Sequence, residues 1–270
     1  MRARAALAAA VLALSVRAGA AVAAEPLRVC FDEHDAPRAQ KTGDSGFDVE
    51  LMRLVGERIG RPLREVWLAD DDRLTDIDKS DLPLKNLARG ECDAVASVPG
   101  ENALAAMKGR LALSRPYYGV GFELVGPPTL PGDLAALRGR KVSVQNASVA
   151  NLVAVSMGLD WTAQASARAQ LETLDAGKAQ AALVWGPELG PLGRKPKPGS
   201  QPPAVLRWNE HVATRAADKA LGAAIDDALA GLTASGAVTQ LLVKYGVPAH
   251  APFERAFSPQ DLAAIRFNRK

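Results

Sequence analysis

Polar residues follow a short apolar stretch near the start of the chain, in the order Asp32, Glu33, His34 and Asp35. Carboxylates on both sides of a histidine favour its imidazolium form, so this group could hold a proton or a polar ligand. If LRVCFD (27–32) is a strand, we expect Asp32, His34 and Asp35 at the mouth of a cleft. A solvated acidic loop explains the same residues equally well.

Two further groups of polar residues stand where strands end or helices begin. The group after the predicted third strand is Ser97, Pro99 and Glu101, and the group at the start of a helix is Gln145, Asn146 and Ser148. Side chains at the carboxyl ends of strands reach the ligand crevice of an α/β sheet. Free N–H groups at a helix start attract an anion or a carbonyl oxygen. Ordinary helix capping accounts for the second group almost as well.

An indole ends the apolar run AALVW (181–185), and a Gly-Pro pair follows it. Such an exit brings the backbone close to whatever fills a cleft. We predict that Trp185 and Gly186 face the cleft; the alternative is an indole packed in a core or against a hinge. Of the two tyrosines at 117–118, we expect one to pack and Tyr118 to enter the cleft.

Cysteine and histidine usage limits the chemistry available. Cys30 and Cys92 are the two cysteines of the sequence, and in an oxidising compartment they can form one intramolecular disulfide, although two free buried thiols also fit. His34, His211 and His250 lack the short spacing of zinc ligands. No nucleotide-binding loop or nucleophile elbow is present. The sequence therefore predicts no metal, no cofactor and no enzymatic activity.

The first 24 residues have a basic start, an apolar run and small residues at their end, which is typical of a secretory signal peptide. Removing Arg2, Arg4 and Arg17 with it leaves 30 basic residues against 30 acidic ones. A neutral mature chain without a basic stripe is a poor nucleic-acid binder. No later segment approaches the roughly 20 apolar residues of a membrane span. We expect a periplasmic monomer with no transmembrane segment.

Strand-like and helix-like periodicities alternate along the mature chain, which is typical of parallel sheets covered by helices. The segment 46–60 has apolar residues at helical spacing and ends in glycine, and 146–158 also predicts a helix. VLRW (205–208) predicts a strand, followed by an alanine-rich helix from about 216 to 235. SPQDLAAIRF (258–267) predicts a last short helix. We infer two α/β units, each with a mostly parallel sheet flanked by helices, joined by two crossover segments.

The order of several segments resembles extracellular solute-binding protein family 3. These segments are LRV, GFDVELMRLVGERIG, LARGECDAV, SRPYY, LRGRKVSV, LETLDAGKAQAALV and KYGV. The resemblance implies the two-lobed type II periplasmic-binding-protein fold, with a ligand cleft between the lobes. It gives a signal peptide at 1–24, a first lobe at 25–125, a second lobe at 126–204, a return to the first lobe at 205–247 and a tail at 248–270.

The chain departs from the family where its better-known members hold polar amino acids. Those members carry an arginine after the third strand that grips the ligand carboxylate, whereas SVPGENA (97–103) has none. They also carry an aspartate for the ligand ammonium where this chain has Trp185 and Gly186. A bidentate arginine grip is not readily replaced by neutral groups. Free amino acids are therefore poor candidate ligands.

A narrower branch is similar to the chain at RVC, ECDAV with VPG, RPYY, VWGP and KYGVP. Its members are periplasmic accessory proteins encoded beside PQQ-dependent methanol and alcohol dehydrogenases. This resemblance implies a PQQ-dependent dehydrogenase or its cytochrome as the partner. One departure is Arg38, where the branch usually has an aromatic residue after proline.

Two other functions fit the same family. One is an ABC-transporter receptor that binds a small polar solute and docks on a permease. The other is a periplasmic dehydratase, which would need a general acid such as Glu101 near a carboxylate-binding Arg115 or Arg38. Nothing in the spacing of these residues singles out that chemistry.

Overall fold

A computed structural model of the chain describes residues 24–69 and 76–257. All of the predicted signal peptide except Ala24 lies outside these residues, and so does the predicted helix at 258–267. The strands, β1 to β11, are Leu27–Asp32, His34–Asp35, Ala39–Gln40, Leu63–Leu68, Ala94–Val98, Leu111–Leu113, Tyr118–Val125, Lys141–Gln145, Asp160–Gln164, Ala181–Trp185 and Arg207–Arg215. The helices, α1 to α6, are Phe47–Arg58, Asp76–Arg89, Val149–Ser156, Ala167–Asp175, Lys219–Ala234 and Ala237–Lys244. None of these helices is long and apolar enough to span a membrane.

Nine strands form one sheet that runs through both lobes, in the order β4-β1-β5-β11-β7-β10-β8-β9, with β6 also paired to β11. In the first lobe β4, β1 and β5 are parallel, and in the second lobe β10, β8 and β9 are parallel. The two crossover strands, β7 and β11, pair antiparallel to each other and to their neighbours in each lobe. The architecture is the predicted two-lobed α/β fold, with a parallel part of the sheet in each lobe and antiparallel crossover strands between them.

Each lobe has its own apolar core. In the first lobe, Phe47, Leu51 and Val55 of α1 are buried against β1 and against helices α5 and α6, as the helical spacing predicts. In the second lobe, valine and leucine side chains of β8 and β10 pack on α3. Burial of these faces is the main stabilising contribution, because each apolar side chain removed from water contributes about 1.5–3 kcal/mol.

Two boundaries differ from the sequence-based expectation. Strand β11 runs to Arg215, well past the predicted end at 208, because its first half pairs with β7 and its second half with β5 and β6. Helix α3 begins at Val149 rather than at Asn146, since Ala147 has a positive φ of 57° and Ser148 caps the helix.

The disulfide joins Cys30 of β1 to Cys92, which stands just before β5, with the two Cα atoms 5.7 Å apart. These two strands are already neighbours in the sheet. The bond therefore ties the chain across the strands that carry the predicted cleft residues of the first lobe.

Residues 248–257, which we call the tail strap, pack across both crossover strands. His250 forms a bridge with Gly119 of β7, and its Nε2 lies 2.7 Å from Oε1 of the buried Glu123. Asn209 of β11 exchanges hydrogen bonds with the backbone of Phe253. The tail strap is thus part of the junction between the lobes.

Candidate binding cleft

A pocket of about 530 Å³ lies at the carboxyl ends of β1 and β5. Because these strands are parallel neighbours, the residues that follow them meet at one edge of the sheet. The lining residues all belong to the first lobe: Cys30, Phe31, Asp32, Asp35, Arg38, Ala39, Asp48, Pro83, Leu84, Val95, Ala96, Ser97, Val98, Pro99 and Ala103. Four residues predicted for the cleft are among them, namely Asp32, Asp35, Ser97 and Pro99.

Arg38 occupies this pocket with its guanidinium tied to the protein. Its Nη2 donates to the backbone oxygen of Ser97 at 2.8 Å. Its Nε lies 3.5 Å from a carboxylate oxygen of Asp35 and 3.6 Å from one of Asp48. The carboxylates of Asp35 and Asp48 thus already offset the charge of the guanidinium, so a ligand carboxylate would have to compete with them for Arg38.

A buried polar network supports the pocket from behind. Ser97 donates from Oγ to Asp48 Oδ1 at 2.8 Å, and its backbone N–H donates to the hydroxyl of Tyr117 at 3.0 Å. Ser97 adopts a positive φ of 52°, which is uncommon for a residue with a side chain. This turn directs its Oγ toward Asp48 and its carbonyl toward Arg38.

Burial raises the pKa of two carboxyl groups at this place. The pKa of Asp48 is about 6, because desolvation outweighs the attraction of Arg38 and the hydrogen bond from Ser97. The pKa of Glu210, on crossover strand β11, is about 7 for the same reason, and the charges of Asp48 and Asp35 add to the effect. Both groups titrate near neutral pH.

A carboxyl group of the second lobe, that of Glu188, also has a raised pKa. Burial raises the pKa of Glu188, and the negative charge of Asp35 raises it further. Glu188 lies in the short 3₁₀ turn that follows Trp185.

Trp185 and Gly186, which were predicted to face the cleft, do not line this first-lobe pocket. The half-buried indole packs against both lobe cores, with ring centroids 5.3 Å from Phe122 and 5.7 Å from Trp208. A Cβ added at the buried Gly186 would lie 3.1 Å from the backbone oxygen of Gly121 on β7. The alternative of an indole packed at the hinge describes the structure, because β10 pairs directly with crossover strand β7.

Both tyrosines are buried and neither lines this pocket, although Tyr118 was expected to enter the cleft. Tyr117 contributes its hydroxyl to the Ser97 network, whereas Tyr118 is 1% exposed and packs edge-on against Phe47. The side chain of a strand residue points to the opposite face from its neighbour's. The sequence did not indicate which face of the strand points toward the cleft, so it could not show which of Tyr117 and Tyr118 lies on that face.

Of the residues predicted at the start of α3, Ser148 is the helix cap. Ser148 Oγ accepts the backbone N–H of Asn151 at 3.1 Å and donates to the oxygen of Gln145. Asn146 is exposed in the turn, where its N–H donates to Gln164. These residues belong to the second lobe and do not join the lining of the first-lobe pocket.

His34 and Glu101, also predicted for the cleft, are exposed and do not line this pocket. The side chain of His34, in the small β2–β3 hairpin, is 67% exposed beside Glu33. Arg115 is paired with Asp226 at 2.8 Å, so the general acid and anchor of a dehydratase are not assembled from Glu101 and Arg115. Within residues 24–69 and 76–257, no cluster of His, Cys, Asp or Glu could hold a metal ion.

Asp48, Glu188 and Glu210 were not predicted from the sequence. Asp48 is the second residue of α1, where an acidic residue normally suits the helix dipole and attracts no notice. Glu210 stands in RWNEHVATR, which alternates as a half-buried strand does, and an acid in its middle was a usable signal. Glu188 follows the Gly-Pro pair by one residue and carries no local signal.

No protein-family model matches the chain, and no curated protein matches it. Solved structures do share its fold. The L-cystine solute receptor of Neisseria gonorrhoeae is 20% identical with a TM-score of 0.67, over 83% of this chain and 94% of that one. MxaJ from Methlophaga aminisulfidivorans is 20% identical with a TM-score of 0.57, over 83% and 99%. Substrate-binding domain 2 of Lactococcus lactis GlnP is 18% identical with a TM-score of 0.62, over 82% and 95%. At these identities the likeness establishes the two-lobed solute-binding fold alone.

Proposed function

We propose that this chain is an exported solute-binding-type protein that serves a PQQ-dependent alcohol (methanol) dehydrogenase system as a periplasmic accessory. The fold supports the solute-binding part of the proposal. The resemblance at ECDAV, VPG, VWGP and KYGVP supports the dehydrogenase part. MxaJ shares the fold, and this agrees with the proposal without carrying it.

The observation that carries the proposal is the engaged guanidinium of Arg38. An amino-acid receptor needs a cation free to hold the ligand carboxylate and an acid free to hold its ammonium. Here Arg38 is held by Asp35, Asp48 and the Ser97 carbonyl, and the Trp185 position is part of the hinge packing. A cleft of this kind favours a role other than amino-acid capture.

A docking surface for the dehydrogenase would need exposed side chains, which excludes the buried Tyr118. Trp161 on edge strand β9 is 41% exposed, and large exposed aromatic residues often carry much of an interface's energy. We therefore expect Trp161 to lie in that surface.

The test is biolayer interferometry of the purified mature chain against the purified PQQ-dependent alcohol dehydrogenase of the same organism and its cytochrome. We expect saturable binding, weakened at least about tenfold by Trp161→Ala, as for an interface hot spot. The matched control is Glu57→Gln, an exposed change on the first lobe. Absence of binding to both partners would refute the accessory role.

The second candidate is an ABC-transporter receptor for a small polar solute, and the open 530 Å³ pocket favours it. A thermal-shift screen of free amino acids and small polar solutes separates the two functions. A tight amino-acid ligand combined with no dehydrogenase binding would establish the receptor instead.

Export is part of the proposal. Mass spectrometry of the protein from a periplasmic fraction should show a mature N-terminus at Ala24 or Glu25. An intact Met1 on protein from the cytoplasm would contradict export.

A further inference from the structure

Three arginines converge on one carboxylate at the amino ends of β1 and β5, the edge of the sheet opposite the cleft pocket. Arg28 is the second residue of β1, and Asp93 immediately precedes β5. Arg28 donates to Asp93 from Nη2 at 2.7 Å and from Nε at 3.3 Å. The Nη2 groups of Arg61 and Arg215 donate to the same carboxylate, each at 3.2 Å. The Asp93 side chain is 7% exposed, so one nearly buried carboxylate holds three guanidinium groups.

Positive charge dominates at this cluster. Burial raises the pKa of Asp93, yet the hydrogen bonds from Arg28 and Arg215 and the charge of Arg28 lower it below its ordinary value. Asp93 offsets one of the three guanidinium charges. Asp218 offsets a second, because it pairs with Arg215 at 2.6 Å. The remaining positive charge lies within hydrogen-bond distance of Asp93.

A pocket of about 560 Å³, which we call the arginine pocket, lies over this cluster. Its lining residues are Glu25, Arg28, Arg61, Asp93, Arg215, Ala217, Asp218, Lys219, Ala220 and Leu221. Lys219 is exposed and has no ion-pair partner among the described residues. The lining therefore has four cations and three carboxylates, and its net charge is positive in a predicted mature chain that is neutral as a whole.

Two of the guanidinium groups keep N–H donors that the protein does not use. A guanidinium carries five such donors. Arg61 uses Nε and Nη2 for two backbone carbonyls and for Asp93, while its Nη1 makes no hydrogen bond to the described residues. Arg28 donates once from Nη1 and once from Nη2, which leaves one N–H on each. Both side chains are partly exposed, so an incoming carboxylate can be bound without displacing Asp93.

We infer that the arginine pocket docks an acidic segment of a partner protein. The planar guanidinium fork matches a carboxylate, and arginine is enriched where protein surfaces meet. A volume of about 560 Å³ has room for several side chains, far more than a single small oxoanion fills. The inference goes beyond the proposed function and does not depend on it, because the arginine pocket shares no lining residue with the cleft pocket.

The test is isothermal titration calorimetry of the purified mature chain at low ionic strength with three probes: a hexaglutamate peptide with blocked ends, a blocked hexaglutamine peptide and citrate. We expect saturable binding of hexaglutamate, at least about tenfold tighter than that of citrate or hexaglutamine, because several charge-assisted contacts form at once. Binding should weaken in salt, since exposed charges are screened. Failure of hexaglutamate to bind overturns the inference, and so does equal binding of hexaglutamine. Citrate binding as tight as that of hexaglutamate would make this a small-anion site and overturn the protein segment.

Charge-removing variants locate the site. Lys219→Gln should weaken hexaglutamate binding about threefold, as removal of one exposed charge does. Arg28→Gln should weaken it about tenfold, because charge-assisted donors are lost. The matched control is Lys178→Gln, an exposed change on the second lobe that lowers the net charge by the same amount and should leave binding unchanged.

A thermal melt of each variant excludes loss of fold, and Lys219→Gln decides alone if Arg28→Gln unfolds. If Lys219→Gln and Lys178→Gln bind hexaglutamate equally well, the arginine pocket is not the site and the inference fails. Loss of the dehydrogenase proposal would leave the peptide result unaffected, so the two proposals fail separately.

Discussion

Replacing Glu210 by glutamine should make the folded chain more stable at neutral and alkaline pH. Glu210 is buried on crossover strand β11, with Oε2 unpaired among the described residues. Its pKa in the folded chain is about 7, against an ordinary value of 4.5, chiefly because desolvation disfavours the charged form. Glutamine has nearly the same shape and cannot ionise, so the substitution removes the charge and keeps the packing.

The sign follows from proton binding. Between pH 4.5 and about 7 the folded chain holds a proton at Glu210 that the unfolded chain has lost. The stability that this group contributes is therefore fully present below pH 4.5 and is lost as pH rises through about 7. A shift of this size corresponds to about 3 kcal/mol, at 1.36 kcal/mol for each pH unit. The raised pKa of Asp48 also makes the unfolding free energy fall as pH rises. The Glu210→Gln variant should therefore keep a smaller dependence of stability on pH.

The assay is urea unfolding at a series of pH values, followed by the fluorescence of the tryptophans. The difference in unfolding free energy between Glu210→Gln and the parent should grow by about 3 kcal/mol from the acidic to the alkaline end of the series. Glu57→Gln, an exposed change, provides the control and should show no such trend. A difference that stays constant across the series would refute the reasoning, since it would mean that Glu210 ionises as easily in the folded chain as in the unfolded one.

Two other predictions concern the sheet and the tail strap. Replacing Cys30 and Cys92 together by serine should lower the unfolding free energy by about 4 kcal/mol, because their bond closes a loop with a sequence separation of 62; equal urea midpoints for parent and variant would contradict this. Gly119→Ala should cost about 1–3 kcal/mol, since a Cβ there would lie 2.5 Å from the Phe253 ring and 2.8 Å from a backbone oxygen of the strap. Gly132→Ala, where an added Cβ meets nothing within 4 Å, is the control, and similar urea midpoints for the two alanine variants would show that the strap is not tightly packed.

The sequence predicted best the residues that lie at the carboxyl ends of strands. Asp32, Asp35, Ser97 and Pro99 line one pocket because the carboxyl ends of parallel neighbours must meet, whatever their side chains. The fold class followed from the alternation of strand and helix periods together with the family resemblance. Both the strand-end residues and the fold class depend on the order and direction of strands and helices, which the sequence pattern predicts.

The sequence could not predict which groups the lobes bring together. Trp185 ends a strand, as a cleft residue would, yet the aromatic rings of Phe122 and Trp208 hold it at the junction. Both partners lie on the crossover strands, more than 20 positions away in each direction. Glu210 likewise interacts electrostatically with Arg38 and Asp48 because β11 continues past the predicted end at 208 and pairs with β5. The sequence did not predict this second half of β11. Contacts of this kind depend on sheet order, which no local period encodes.

The continuous sheet has a mechanical consequence. Because β7 and β11 are hydrogen-bonded to each other and to strands of both lobes, no slack linker joins the lobes along these two strands. Any change in the angle between the lobes must be taken up as torsion of this hydrogen-bonded ladder, which a register shift between His211 and Ala213 interrupts. The tail strap is hydrogen-bonded to both crossover strands and stabilises their arrangement at the junction between the lobes. Residues outside the pocket thus determine how easily the angle between the lobes changes. Removing the tail strap by ending the chain before Pro248 should make that angle more variable, although every residue that lines the pocket would remain.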